Sequence, residues 1–255
     1  MKAIVLAAGS GTRLAPYTDS KPKCMVKVCG KPILDYQLEL FEKEGISDIM
    51  VVSGYKNEKI RRNSIVKIIN PKFASTNMVY SLFCARDHFN DDIIISYGDI
   101  IYSQSVLEKI MAAECEFSVV VDKDWLDLWS SRMENPMDDI ESMRIDGGRI
   151  VELGKKVNSL DVVQGQYIGL MKVRKDFLPT MLEFYCSLDK DALYDGKSFE
   201  SMYFTSFIQL LIDQFGNVSP IYINGHWVEV DTVSDLEIYS QNSFMSKRIG
   251  GEVGQ

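Results

Sequence analysis

Residues 6 to 14 read LAAGSGTRL and follow a short apolar run, Ala3-Ile4-Val5. A glycine-rich turn after a strand exposes backbone N–H groups and makes a cradle for phosphate oxygens. Two glycines alone do not settle what sits there. The dinucleotide pattern G-x-G-x-x-G fits Gly9 and Gly11 but puts Leu14 where a third glycine belongs, and the G-K-[ST] ending of a P-loop is missing. The cations say more. Arg13 stands two places after Gly11, and Lys23 lies ten residues further on, in SKPKCMV, so both flank one loop. Fixed cations beside a glycine cradle suit a polyphosphate, whose leaving group gathers charge during transfer. The two histidines, His88 and His226, are far apart in sequence and argue against a His-rich zinc site. No Ser–His or Cys–His constellation offers a protein nucleophile.

The elements that would carry this loop are strands alternating with helices. AIVLA reads as a buried strand, and ILDYQLELFEKEG has apolar residues at helical spacing with Gly45 as a stop. DIMVVSG and SIVKIIN read as the next strands, NMVYSLFCARDHF as a helix, DIIISYGD as a strand, QSVLEKIMAAE as a helix and EFSVVVD as a fifth strand. This order predicts an α/β fold, a Rossmann-like, mainly parallel sheet flanked by helices. The second half reads differently. ESMRIDGGRIVEL carries an Asp146-Gly147 turn and predicts a hairpin. GQYIGLMKV reads as a strand, two helices are expected around 175–187 and 199–214, and SPIYIN and HWVEVD read as a final pair of strands. TVSDLEIYSQNSFM reads as a terminal helix capped by Asp231 or Thr232. The expectation is one domain over 1–255, with an NTP-binding core in 1–122 and a small C-terminal, acceptor-binding elaboration in 123–255.

Composition narrows the partners. With 255 residues, 46% hydrophobic and 25% charged, the chain can bury a large core. A net charge of −8 without a basic run argues against nucleic-acid backbone as a ligand. No apolar stretch reaches the roughly 20 residues of a membrane span. Five scattered cysteines, with no C-x-x-C pair, suggest a reduced, cytoplasmic protein.

The run L-A-A-G-x-G-T-R-L, followed by K-P-K and then G-K-P-I-L, resembles the nucleotidylyltransferases, which activate phosphorylated small molecules with an NTP. The resemblance covers most of the chain, with 123–140 the least typical part, and it implies the nucleotide-diphospho-sugar transferase type of fold. TNMVYSL (76–82) and EVDTVSDLE resemble the cytidylyltransferases for phosphocholine and related head groups. DKDWLDLW, ELGKK and QYIGL are similar to enzymes that load CMP onto phosphoglutamine or onto phosphonates. The implied reaction is attack of an acceptor phosphate oxygen on the α-phosphorus of CTP, with pyrophosphate leaving. An acceptor phosphate is already anionic, so no general base is required.

By the same resemblance, Asp99 in SYGDI and Asp231 in EVDTVSDL would hold Mg²⁺, with Glu229 a candidate third carboxylate. Beside Trp227, Glu229 is equally a candidate for a half-buried ion pair. Arg13 would bind the β- and γ-phosphates together with the backbone of Gly9, Ser10, Gly11 and Thr12, and Lys23 would stabilise the α-phosphate. The base would meet the backbone of Leu6, Ala7 and Ala8. Asn77 and Ser81 could read its edge, although Asn77 also suits a helix cap.

The acceptor side leaves alternatives open. Lys155 and Lys156 either meet the acceptor phosphate or lie on a surface turn. Trp125 and Trp129 stand four apart with Arg132 three further on, so in a helix they share a face. The tryptophans could cage a quaternary ammonium, Arg132 could clamp a carboxylate or phosphonate, or the tryptophans could pin the segment to the core. Tyr194, Tyr203 and Trp227 are candidates to complete the pocket, and the terminal helix is a candidate homodimer contact. The rival readings are a sugar-1-phosphate nucleotidylyltransferase and a non-catalytic, nucleotide-binding regulatory relative.

Overall fold

Alternation along the first strand sets the two faces of the molecule. In β1 (Lys2–Ala7), Ala3, Val5 and Ala7 join one hydrophobic core while Ile4 and Leu6 join the other, as the two-residue period of a strand requires. Both faces are covered, which is why the strand is apolar throughout. The computed structural model describes residues 1–250, the side chains of Asp138 and Asn242 excepted; the last five residues of the expected 123–255 segment lie outside the described residues.

After β1 come α1 (Ile33–Lys43), β2 (Ile49–Ser53), β3 (Val66–Ile69), α2 (Met78–Cys84), β4 (Ile93–Tyr97), β5 (Ile100–Tyr102), α3 (Gln104–Met111) and β6 (Phe117–Asp122). Then follow α4 (Trp125–Arg132), β7 (Glu141–Asp146), β8 (Arg149–Lys156), β9 (Gln166–Val173), α5 (Leu178–Ser187), α6 (Phe204–Phe215), β10 (Val218–Ile223), β11 (Trp227–Glu229), α7 (Val233–Tyr239) and α8 (Asn242–Ile249). Helix α1 buries Ile33, Leu34, Leu38 and Phe41 at helical spacing, and Gly45, at φ +76°, turns the chain out of it.

Seven strands form the central sheet in the order β10-β6-β9-β4-β1-β2-β3. All pairs are parallel except those of β9, which runs antiparallel to both β4 and β6. The mainly parallel sheet expected from the sequence is therefore present. Helices α1, α3, α4, α7 and α8 contribute to the core on one face, and α2, α5 and α6 to the core on the other.

Two expectations for the second half need correction. SPIYIN and HWVEVD are both strands, but they do not pair with each other. β10 lies parallel to β6 at the edge of the main sheet, and β11 runs antiparallel to β5. The terminal helix is also two helices, α7 and α8, broken around Ser240 and Gln241. The box at its start is Thr232, whose hydroxyl accepts the Asp235 N–H while the Asp235 side chain accepts the Thr232 N–H; Asp231 stays free for other work. No helix among the described residues is long and apolar enough to cross a membrane.

Candidate active site

The β5–β11 ribbon brings together two acids that are far apart in sequence. Ile100 pairs with Glu229 and Tyr102 with Trp227, and the Val230 N–H donates to the Asp99 carbonyl at 2.9 Å. Asp99 and Asp231 thus emerge side by side, one before β5 and one after β11. Gln37 on α1, fully buried, fixes the turn from within: its Nε2 donates to the carbonyls of Tyr97 at 2.8 Å and Ile100 at 2.7 Å.

Both carboxylates close on Lys23, whose Nζ lies 2.7 Å from Asp99 Oδ2 and 2.7 Å from Asp231 Oδ1. Arg13 Nη2 lies 2.5 Å from Asp231 Oδ2. Burial alone would lower the Lys23 pKa, but Asp99, Asp231 and Glu229 more than offset it and raise it above the ordinary lysine value. Lys23 is therefore a fixed cation and not a base. Asp99 Oδ1 is buried without a hydrogen-bond partner, an acceptor oriented for a cation or donor that the protein itself does not supply.

These groups edge a cavity of about 300 Å³ at the C-terminal ends of β1 and β4, the usual place for a ligand in an open α/β sheet. Its walls include Leu6, Ala7, Ala8, Gly9, Gly11, Thr12, Arg13, Lys23, Asn77, Ser81, Asp99 and Asp231. Of the nucleotide-side residues expected from the sequence, Ser10 is the one outside this lining. The loop is held by the Thr18 hydroxyl, which donates to the Gly11 carbonyl at 3.0 Å. Asn77 caps α2, accepting the Met78 N–H at 2.8 Å, and also lines the cavity. Ser81 accepts from Asn70 Nδ2 at 3.0 Å, and the same Nδ2 donates to Thr76 Oγ1 at 2.9 Å.

Sequence reasoning passed over Gln37, Asn70, Phe73, Thr76 and Gly98. Gly98 carried a visible signal, a glycine directly after a buried strand. Its N–H donates to the Leu6 carbonyl at 2.9 Å, and a Cβ there would stand 2.9 Å from that oxygen.

A larger cavity of about 830 Å³ adjoins the first, with Met78 in both linings. Lys155, Lys156, Tyr203, Trp129, Trp227 and Glu229 line it, as do the acids Asp139, Glu141 and Asp195. Trp125 and Tyr194 are not among its lining residues. The Tyr194 hydroxyl donates to the Asp189 carbonyl at 2.7 Å, and Trp125 packs edge-on against Trp129 at 6.0 Å between ring centroids. Trp129 in turn meets Trp227 at 5.9 Å, while Trp227 Nε1 donates to the buried Asp122 carboxylate at 2.7 Å. The rings thus pack against one another, and Trp129 and Trp227 also line the larger cavity.

Arg132 is not placed to clamp an acceptor. Its side chain is 2% exposed and its donors are taken by Asp235 and Glu229. Glu229 accordingly sits in an ion pair; burial raises its carboxyl above the ordinary value against the pull of Arg132. Among the described residues no group of three or more His, Cys, Asp or Glu side chains is gathered for a metal, and Glu229 is engaged by Arg132.

A glycine loop, two carboxylates and two cations thus meet at the strand ends of a mainly parallel α/β sheet, in a fold of the nucleotide-diphospho-sugar transferase type. The inositol-1-phosphate CTP transferase from T. maritima shares this fold, with a TM-score of 0.73 at 22% identity over 96% of each chain. Residues 3–153 match the MobA-like NTP transferase domain. A CTP:phosphoglutamine cytidylyltransferase from Campylobacter jejuni is 46% identical over 250 residues, covering 93% of this chain and 98% of that protein. A choline-phosphate cytidylyltransferase from Streptococcus pneumoniae is 36% identical over 123 residues, covering 47% of this chain and 53% of that one. The chain belongs to the MobA-like NTP transferase family, on its cytidylyltransferase branch.

Proposed function

We propose that this protein transfers CMP from CTP to a phosphorylated amino acid of the phosphoglutamine type, releasing pyrophosphate. The observation that carries the acceptor assignment is the 46% identity to the Campylobacter jejuni protein across nearly the whole of both chains. The larger cavity supports it. Exposed lysines (Lys155, Lys156) and acids (Asp139, Glu141, Asp195) line one space, which suits a ligand carrying phosphate, carboxylate and ammonium together better than one carrying a quaternary ammonium alone.

An acceptor phosphate oxygen attacks the α-phosphorus of CTP. The new P–O bond forms as the bond to the β-phosphate oxygen breaks, and pyrophosphate leaves with the electron pair. Gly9 to Thr12 and Arg13 hold the β- and γ-phosphates, and Lys23 faces the α-phosphate. Leu6, Ala7, Ala8, Asn77 and Ser81 surround the cytosine. Lys23 rests on Asp99 and Asp231, and Arg13 on Asp231, so the carboxylates hold both cations where the incoming phosphates meet them. Asp99 and Asp231 fit a divalent cation such as Mg²⁺: they are hard oxygen donors on one cationic position, and Asp99 Oδ1 lacks a protein partner. When bound, the cation supplies charge neutralisation to the phosphate oxygens.

Pyrophosphate release with CTP and Mg²⁺ tests the reading across phosphoglutamine, phosphocholine, phosphoethanolamine, 2-aminoethylphosphonate and glucose-1-phosphate. Release is expected with phosphoglutamine at a kcat/KM well above that for the others. Preference for phosphocholine would give the cavity-lining Trp129 and Trp227 an ammonium-binding role. Turnover of glucose-1-phosphate with UTP or dTTP would move the protein to the sugar-activating branch.

A further inference from the structure

Arg132 ends α4 with its guanidinium sealed from water. A buried cation is costly unless it is paired, and here each of its three nitrogens finds a carboxylate oxygen. Nε and Nη2 reach the two oxygens of Asp235 at 2.9 and 3.1 Å, and Nη1 reaches Glu229 Oε2 at 2.9 Å. A planar fork of this kind is available to arginine and not to lysine. The two carboxylates it holds stand on either side of Asp231 in the chain. Asp235 Oδ2 also accepts the backbone N–H of Asp231 at 2.8 Å and of Thr232 at 2.9 Å. At its other side, the guanidinium lies 5.5 Å from the ring centroid of Trp129, which walls the larger cavity.

We infer that Arg132 is a positioning residue for the transfer. Through Asp235 and Glu229 it fixes the segment 229–235, so that Asp231 stays aimed at Lys23 and Arg13, and it ties that aim to the helix that walls the acceptor cavity. The inference rests on Asp231 taking part in the transfer, as proposed above. A carboxylate shifted by a fraction of an ångström would misplace both the α-phosphate cation and the β,γ-phosphate cation, since Asp231 touches both.

The test uses steady-state and single-turnover kinetics with CTP, Mg²⁺ and phosphoglutamine on the full chain. Arg132→Lys keeps a charge but loses the fork. Asp235→Asn keeps an oxygen for the Asp231 N–H but loses the charged pair, and serves if Arg132→Lys does not fold. Either variant, folded by circular dichroism, is expected to lower kcat about 10- to 100-fold, the scale of a misplaced reacting group, while KM for CTP and for phosphoglutamine stays within about 3-fold. In an Asp231→Asn background, Arg132→Lys is expected to add little further loss, because the residue it acts through is already disabled. Losses that multiply would overturn the inference. So would a raised KM for phosphoglutamine at unchanged kcat, which would place Arg132 on the acceptor, or a lowered melting temperature with unchanged kcat. Wild-type turnover in Asp231→Asn alone would mean that the role of Asp231 had failed, a result separable from the others.

Discussion

Lys23 is held as closely by what lies beneath it as by the acids in front of it. Gly11 sits in the left-handed region at φ +64°, and a Cβ there would stand 2.8 Å from Lys23 Cβ. The glycine is thus required twice, once for its backbone angle and once for the lysine stem that packs over it. Gly11→Ala should cost about 1–2 kcal/mol in backbone strain and push Lys23 off its line between Asp99 and Asp231. The expected outcome is a folded enzyme whose kcat falls at least about 10-fold, read by steady-state kinetics beside a melting curve. Gly9→Ala is the contrast for stability, because its Cβ meets nothing within 4 Å; its melting temperature should match the wild type. The glycines and cations of this loop were legible in the sequence because they lie within one short stretch. The packing of Lys23 onto Gly11 was not, because spacing along a loop does not say which side chain folds back over it.

The short helix α7 is an element whose start matters more than its length. Its seven residues could not persist alone in water. The capping box of Thr232 and Asp235 and the buried faces of Leu236 and Tyr239 hold it. Thr232→Ala removes one side of the box and should lower stability by about 1 kcal/mol, seen as a fall of roughly 2–4 °C in melting temperature for a chain of this size. Turnover should fall far less than in Arg132→Lys, since Asp235 still accepts the Asp231 N–H. A comparison of melting temperature and kcat in the two variants separates helix stability from the aim of Asp231. The cap itself was within reach of sequence reasoning, which placed it at Asp231 or Thr232. The purpose of Arg132 was not, because its partners lie 97 and 103 positions away.

At the scale of the whole molecule, helix α8 packs behind Trp227, a wall of the larger cavity. Met245 and Ile249 are buried, Phe244 stacks on Tyr239 at 5.5 Å, and Arg248 Nε donates to the Trp227 carbonyl at 3.3 Å. Arg248 Nη2 also lies 3.6 Å from the fully buried Asp122, which receives the Trp227 indole N–H. Deleting residues 242–255 exposes this apolar face and leaves Asp122 without its cation, which should cost at least about 3 kcal/mol. KM for phosphoglutamine should rise more than KM for CTP, because Trp227 lines only the larger cavity. Denaturant unfolding and paired KM measurements check both halves of that expectation. The sequence by itself determined the succession of buried strands and amphipathic helices and the glycine loop with its two cations, since all of these are set by periodicity and short spacing. The tertiary structure alone decided that β9 runs against its neighbours, that β10 joins the main sheet while β11 pairs with β5, that Arg132 faces Asp235, and that Lys23 bridges Asp99 and Asp231. Those contacts join segments distant in sequence, and they are chosen by strand register and by the need of buried charges to find partners, neither of which local pattern records.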